Sequence, residues 1–344
     1  MHKQSQSILY TEHKLKKGAY PVRKETYFSS DWLMYQAADL FFIQGISQKE
    51  IGQLLNISSV TVSRLIQRAK EKGVVRFSIQ ESYANMLSLA KQVKKKYGLR
   101  DVIITCFPNR DHAELTDVKQ TVALEGAKYL QRQIAKDDVV GIAWGKTMFH
   151  LINYLNPCQR SNASFVTMHG SIASCDYELD VQTLTSRAAM ALGGTKYSLY
   201  TNGLLDTPET VQQLKTEYHI RKILQIFEQI TISVSGIGSH YPDPTSVLAF
   251  EPYLSPQEYQ LLKKQQVCGD IMLRFYDLEG RECDTPLKDR TLSIDLDIYK
   301  KIPTKILVVT GLYKTIPLHV ALKHHYCDVL IADEQLAQAI LDLP

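Results

Sequence analysis

The stretch GISQKEIGQLLNISSVTVSRLIQRAKEKG, Gly45 to Gly73, decides how the rest of the chain is read. Gly45 ends a helix predicted over 31–43, where Leu33, Ala37, Leu40 and Phe41 recur at the spacing of one buried face. Ser47 and Glu50 stand at capping-box spacing, and Ile46 and Ile51 sit where a hydrophobic staple packs, so a second helix starts at Gln48. Asn56-Ile57-Ser58 is the turn. Ser58 is placed as N-cap of a third helix that runs to Lys72, and Gly73 supplies its stop.

At 100° per residue the third helix puts Val62, Leu65, Ile66 and Ala69 on one face, against the other two helices. Its opposite face, with the cap, carries Ser58, Ser59, Val60, Thr61, Ser63, Arg64, Gln67 and Arg68. A helix that is Ser/Thr-rich at its start and basic along its length fits the major groove of DNA. An outward valine is explained by contact with a thymine methyl, while Arg64 and Gln67 have the reach for base edges or phosphates. In a helix-turn-helix the N-terminal part of the second element reads bases, which makes Ser59 to Arg64 the expected readers of a double-stranded operator.

Charge supports that placement. Residues 1–80 hold twelve Lys/Arg against six Asp/Glu, while the remainder holds twenty-eight against thirty, so phosphate backbones are drawn to the first segment. Residues 1–28 are polar and basic without apolar periodicity and are read as an arm, either a solvated tail or one that adds phosphate or subunit contacts. With 344 residues, 44% apolar and 22% charged, the chain can bury a large core in more than one domain. No eighteen-residue apolar window and no secretory start are present, which predicts a cytoplasmic protein. Six dispersed cysteines, with no C-x-x-C pair, predict reduced thiols and no metal, and His324, His325 and Cys327 are assigned to a surface loop.

After a short strand expected over 74–80 and a linker helix over 81–97, the pattern changes. Short apolar or β-branched runs, DVIITC (101–106), DVVGIAW (138–144), SFVTMHG (164–170), KYSLYTN (196–202), ITISVSGIG (230–238), KILVVTG (305–311) and DVLIAD (328–333), alternate with helical stretches. Those helices are expected over 119–134, 147–155, 181–192, 210–227 and 316–323. The alternation predicts an α/β domain over 98–344 with a largely parallel sheet, behind an all-α helix-turn-helix domain over 29–80. Ligands of such sheets bind beyond the carboxyl ends of the strands.

The second run ends in Trp144-Gly145-Lys146-Thr147 and opens onto a helix, offering backbone N–H groups, a cation and a hydroxyl to an anion. The preceding glycine of a nucleotide loop is missing, since no G-x-x-x-x-G-K-[ST] pattern exists here, so a sugar phosphate fits better than ATP. Gly236-Ile237-Gly238 allows close backbone approach, by a ligand or simply in a turn. Gly311-Leu312-Tyr313-Lys314 puts a second cation at the same sheet edge.

Together these segments, above all SQKEIGQLLNISSVTVSRLIQRAKEKG, DVVGIAWGKTM, GDIMLRFYDLEG (269–280) and VLIADEQLA (329–337), resemble the SorC family of bacterial transcriptional regulators. The resemblance runs from about Trp32 to the C-terminus. It implies an N-terminal helix-turn-helix and a Rossmann-like effector domain similar to sugar-phosphate isomerases, assembled into homodimers or homotetramers that respond to phosphorylated sugars, with no cofactor. Position by position it makes Gly145, Lys146 and Thr147 a phosphate cradle, Gly170 and Gln182 sugar contacts, Asp270 the holder of sugar hydroxyls and Lys314 the lysine at the last glycine turn. Gly236 and Gly238 join this effector-binding set.

The chain departs from the family's Gly-Gly pairs at Gly170-Ser171 and Thr310-Gly311. It also has His169 where some relatives carry a lysine able to form an imine, which histidine cannot; His169 either hydrogen-bonds the effector or is structural. The function expected is regulation of a carbohydrate-utilisation operon without catalysis. The alternative is an active sugar-phosphate isomerase fused to a DNA-binding domain, for which Asp270 and His169 are the available bases.

Overall fold

A computed structural model of the chain describes residues 29–75, 81–105, 115–157, 161–172, 176–249 and 253–344. The basic arm over 1–28, most of the strand expected over 74–80, and Cys106, Cys158 and Cys175 lie outside the described residues. The chain divides into two compact units between Ile79 and Gln80.

The first unit is three helices, α1 (Ser29–Phe42), α2 (Gln48–Leu54) and α3 (Ser59–Glu71). Val62, Leu65, Ile66 and Ala69 of α3 are buried against Ile51 of α2 and Met34, Ala37 and Ala38 of α1. The buried face of α1 is rotated slightly from the expected one: Met34 and Ala38 are at its centre, and Leu33, Leu40 and Phe41 are only partly covered. Asn56 takes φ +51° at the turn, a left-handed conformation that asparagine tolerates better than most side chains.

The second unit opens with α4 (Glu81–Tyr97), β1 (Asp101–Thr105), α5 (Leu115–Gln133), β2 (Val139–Ile142), α6 (Lys146–Asn153) and β3 (Ser164–Thr167). It continues through α7 (Val181–Leu192), β4 (Thr195–Tyr197), α8 (Pro208–Thr216), α9 (Tyr218–Phe227), β5 (Ile232–Ser235) and β6 (Gly238–Ser239). Then follow α10 (Pro256–Lys264), β7 (Val267–Ile271), β8 (Arg274–Asp277), α11 (Pro286–Asp289) and α12 (Leu296–Lys301). The last elements are β9 (Thr304–Val309), α13 (Thr315–Lys323), β10 (Val329–Asp333) and α14 (Glu334–Asp342).

Seven strands form one parallel sheet in the order β1-β10-β9-β5-β2-β3-β4. Alternate residues explain why the strands read as unbroken apolar runs. Ile306, Val308, Val329 and Ile331 enter a core with residues of α5, α6 and α7, whereas Leu307, Val309, Leu330 and Ala332 enter another with residues of α4, α9, α12, α13 and α14. A parallel sheet covered on both faces has no solvated side to alternate with. From β2 the chain winds outward through β3 to β4, then returns to β5 on the other side of β2 and winds away through β9 and β10. The order therefore reverses between β2 and β5.

Several elements differ from the sequence reading. Glu217 breaks the helix expected over 210–227 into α8 and α9, its extended ψ of 138° interrupting the ladder. Only Thr195–Tyr197 of the fourth run is strand, because Leu199 N–H turns to the Thr167 hydroxyl at 3.0 Å. The run 230–238 is split: Gly238 leaves the large sheet for a small antiparallel one, β6-β7-β8, whose hairpin carries the GDIMLRF residues. Cys327 belongs to the interior and not to a surface loop, and burial raises its thiol pKa far above the ordinary range. No described helix is long and apolar enough to cross a membrane, and no group of three or more acidic, His or Cys side chains suited to a metal occurs among the described residues.

The start of α2 shows the capping box in full. Ser47 Oγ accepts from Glu50 N–H at 3.3 Å, and Glu50 Oε2 accepts from Ser47 N–H at 3.2 Å and from its hydroxyl at 2.7 Å. Ser47→Ala is expected to cost the first unit about 0.5–2 kcal/mol. Hydrogen exchange checks this: amides of α2 and α3 lose protection while those of the seven-stranded sheet keep theirs.

Candidate functional site

Two surfaces carry chemistry, one in each unit. On α3, the Ser58 hydroxyl accepts from Thr61 N–H at 3.1 Å and lies 2.8 Å from the Thr61 hydroxyl, so the cap fixes the first turn. Ser58, Ser59, Val60, Thr61, Ser63, Arg64, Gln67 and Arg68 are all exposed; Val60, at 61%, is notable for an aliphatic side chain. They are not equally available. Arg68 leans back to Asp31 at 3.4 Å, and Gln67 donates to Glu71 at 3.1 Å. Arg64 makes neither a hydrogen bond nor an ion pair with the described residues, which leaves its guanidinium free for a partner.

In the second unit a cavity of about 220 Å³ opens where the strand order reverses, at the carboxyl ends of β2 and β5. That position follows from topology: the connections after the two strands leave in opposite directions and a crevice remains between them. At β2, Gly145 takes φ +113° as the residue before α6 and contributes no side-chain cap, so the first N–H groups of α6 point outward unblocked. Lys146 and Thr147 follow, both lining the cavity.

In the same lining, Asp270 of β7 is buried, and its Oδ1 receives two donors: His240 Nε2 at 2.8 Å and the Ser246 hydroxyl at 2.5 Å. Gly238 of β6 pairs with Asp270 across the small sheet, and a Cβ there would overlap the carboxylate, which is the physical requirement for glycine at this point. Lys314 reaches the same space from the turn after β9. Gly311 N–H in that turn donates to Asp333 Oδ2 at 3.0 Å, while Asp333 Oδ1 accepts from Leu336 N–H at 2.9 Å to cap α14.

Cations converge here. Burial, then the charge of Lys119, pushes the Lys314 amine down to about 8, against the pull of Asp270 and Asp333. Lys119, on α5, is itself lowered by burial and by Lys146. None of the three lysines is ion-paired among the described residues.

Of the effector residues expected from sequence, Gly145, Lys146, Thr147, Gly236, Gly238, Asp270 and Lys314 line this cavity, and His169, Gly170 and Gln182 do not. His169 is completely buried, with Nδ1 2.7 Å from the Gly170 carbonyl, and burial lowers it to about 4, so it is a neutral interior histidine. Gly170 packs against the backbone of Asn202 and Gly203, and Gln182 Nε2 donates to the Leu199 carbonyl. Lys119, Ser246 and Tyr313 line the cavity without having been singled out, and His240 supports Asp270 from behind. Nothing in the sequence distinguished Lys119 from any other lysine of an amphipathic helix.

A family model described as a sugar-binding domain matches residues 81–342. The deoxyribonucleoside regulator of Bacillus subtilis is 30% identical over 313 residues, covering 90% of this chain and 97% of its own. The sorbitol operon regulator of Klebsiella pneumoniae is 27% identical over 315 residues, with coverage of 90% and 97%. The full-length crystal structure of that sorbitol operon regulator, SorC, superposes with a TM-score of 0.71, covering 90% of this chain and 98% of that one. The three-helix unit, the sugar-binding domain that follows it, and these relatives along nearly the whole length establish that the chain belongs to the SorC family of sugar-binding transcriptional regulators.

Proposed function

We propose that this protein is a DNA-binding regulator of a carbohydrate-utilisation operon whose operator affinity is set by a phosphorylated sugar in the cavity between β2 and β5. The observation that carries the reading is the mixed chemistry of the cavity's lining. It presents the unblocked N-terminus of α6 with Lys146 and Lys314, a setting for a phosphate. It also presents a buried carboxylate, Asp270, whose orientation His240 and Ser246 fix, a setting for sugar hydroxyl donors. A phosphate joined to a small polyol matches both.

On the first unit, Ser58 to Arg64 enter the major groove with Val60 toward a thymine methyl, and Arg64 and Gln67 reach base edges or the backbone. Arg68, held by Asp31, serves the backbone. A single copy of α3 covers too few base pairs for high specificity, so two copies act on half-sites spaced by a helical turn or a multiple of one, within a homodimer or homotetramer. The effector shifts regulation only if it binds one subunit arrangement better than another; about 5.5 kcal/mol of difference carries the equilibrium from 1:99 to 99:1. The isomerase alternative loses its second base, because His169 is sealed away from the cavity and hydrogen-bonded to Gly170.

A thermal-shift screen of phosphorylated and unphosphorylated sugars tests the reading directly, since a ligand of the folded state raises the melting temperature by mass action. Stabilisation by a phosphorylated sugar and not by its parent sugar is expected; response to the parent sugar alone overturns it. Arg64→Ala is expected to abolish specific operator binding with oligomerisation unchanged, and retained sequence-specific shifts in a gel assay contradict the role given to α3. Thr147→Ala and Lys314→Ala are expected to blunt the effector dose-response of operator binding by tenfold or more, roughly the worth of one charge-assisted hydrogen bond. Finally, a bound phosphate raises the Lys314 pKa from about 8, so binding takes up a proton and affinity falls as pH rises from 7 to 9. Calorimetry in buffers of different ionisation enthalpy reads that proton, and its absence removes Lys314 from the phosphate site.

A further inference from the structure

The cavity holds more positive charge than its one hydroxyl-binding carboxylate balances. Three amines line it from three separate elements: Lys119 from the second turn of α5, Lys146 from the first residue of α6, and Lys314 from the turn after β9. Among the described residues none of them has a hydrogen bond or an ion pair. Among the described residues Asp270 is the only acidic side chain in the lining, and one of its oxygens already accepts two donors. Asp333, which also acts on Lys314, spends its oxygens on the N–H groups of Gly311 and Leu336.

Like charges confined this way destabilise one another when no ligand is bound: after burial, which acts first on both, Lys119 lowers Lys314 and Lys146 lowers Lys119. An arrangement that costs stability in the empty protein and faces an open cavity is preorganised for a ligand of opposite charge.

We infer that Lys119 is a third phosphate-binding lysine of this cavity, and that Lys119, Lys146 and Lys314 together select a phosphomonoester dianion over uncharged sugars and singly charged sugar acids. The inference rests on the sugar-phosphate reading of the same site and adds to it the charge state of the ligand and a residue from α5. With Asp270 balancing one of the three amines, a single negative charge on the ligand leaves one amine uncompensated, whereas a dianion balances the cluster. Phosphate binding therefore relieves repulsion as well as forming hydrogen bonds.

Full-length protein with Lys119→Gln or Lys119→Arg is compared with the wild type and Lys314→Ala, using melting temperature and calorimetry with inorganic phosphate, ribose 5-phosphate, ribose and gluconate. Without ligand, Lys119→Gln is expected to melt at a higher temperature than the wild type, because a repulsive charge is gone. It is expected to bind phosphate and ribose 5-phosphate at least about tenfold more weakly. Lys119→Arg keeps the charge and is expected to retain most of the affinity. That combination, stability up and phosphate affinity down, is one a merely structural lysine does not produce. If Lys119→Gln binds phosphate within twofold of the wild type while Lys314→Ala does not, the role of Lys119 is overturned and the phosphate site stands. If the wild type prefers ribose or gluconate to both phosphate compounds, the sugar-phosphate reading itself falls, and the dianion selection with it.

Discussion

A parallel sheet packed by helices on both faces can present its chemistry only at its ends. In this protein every strand of the seven-stranded sheet that lies inside the two edges is buried from both sides, and the side chains of β9 and β10 are consumed by the two cores in strict alternation. What remains for a ligand is the rim where strands stop and helices begin, and within that rim the place where neighbouring connections part. The reversal between β2 and β5 therefore fixes where the cavity lies before any polar residue is considered. The small sheet β6-β7-β8 then closes one side of it, and the pairing of Gly238 with Asp270 sets a carboxylate there.

The two halves of the cavity achieve their charge by different physical means. Asp270 is held in place by His240 and Ser246, so its orientation is fixed while one oxygen remains uncommitted to either. The lysines make no hydrogen bond or ion pair among the described residues, Lys314 lying only over the Tyr313 ring; their convergence comes from how three separate elements meet. In the proposed reading the fixed carboxylate meets sugar hydroxyls and the amines meet the phosphate.

Much of this was legible in the chain itself. The capping box at Ser47, the cap at Ser58 and the periodicity of Val62, Leu65, Ile66 and Ala69 are local signals, and the three-helix unit follows them closely. The apolar runs marked the strands, and Gly145, Lys146, Thr147, Asp270 and Lys314 could be placed near one rim. What stayed hidden depends on tertiary geometry. Lys119 sits on a helix whose sequence is ordinary, and its proximity to Lys314 arises only when β1 and β9 are brought within one sheet. His169 occupies a strand end, as a ligand contact should, yet it bridges to Ser293 and is buried, and that pairing is not written in the run that contains it. The β7-β8 hairpin turns through Met272 and Leu273, both at positive φ, without the Gly or Asn that announces such a turn.

The pairing of β1 with β10 has a bearing on synthesis. β1 begins at Asp101 and its hydrogen-bonding neighbour begins at Val329, while α4 just before β1 is packed by α14 just after β10, with Tyr97 donating to the Ile340 carbonyl at 2.7 Å. As the chain leaves the ribosome, the three-helix unit is complete long before the sheet has its first strand's partner, and contacts of such sequence separation form late. The three-helix unit is thus made of near-neighbour contacts, whereas the sheet of the second unit can close only around residues added near the end of synthesis. During translation the reader exists for a time without its regulator.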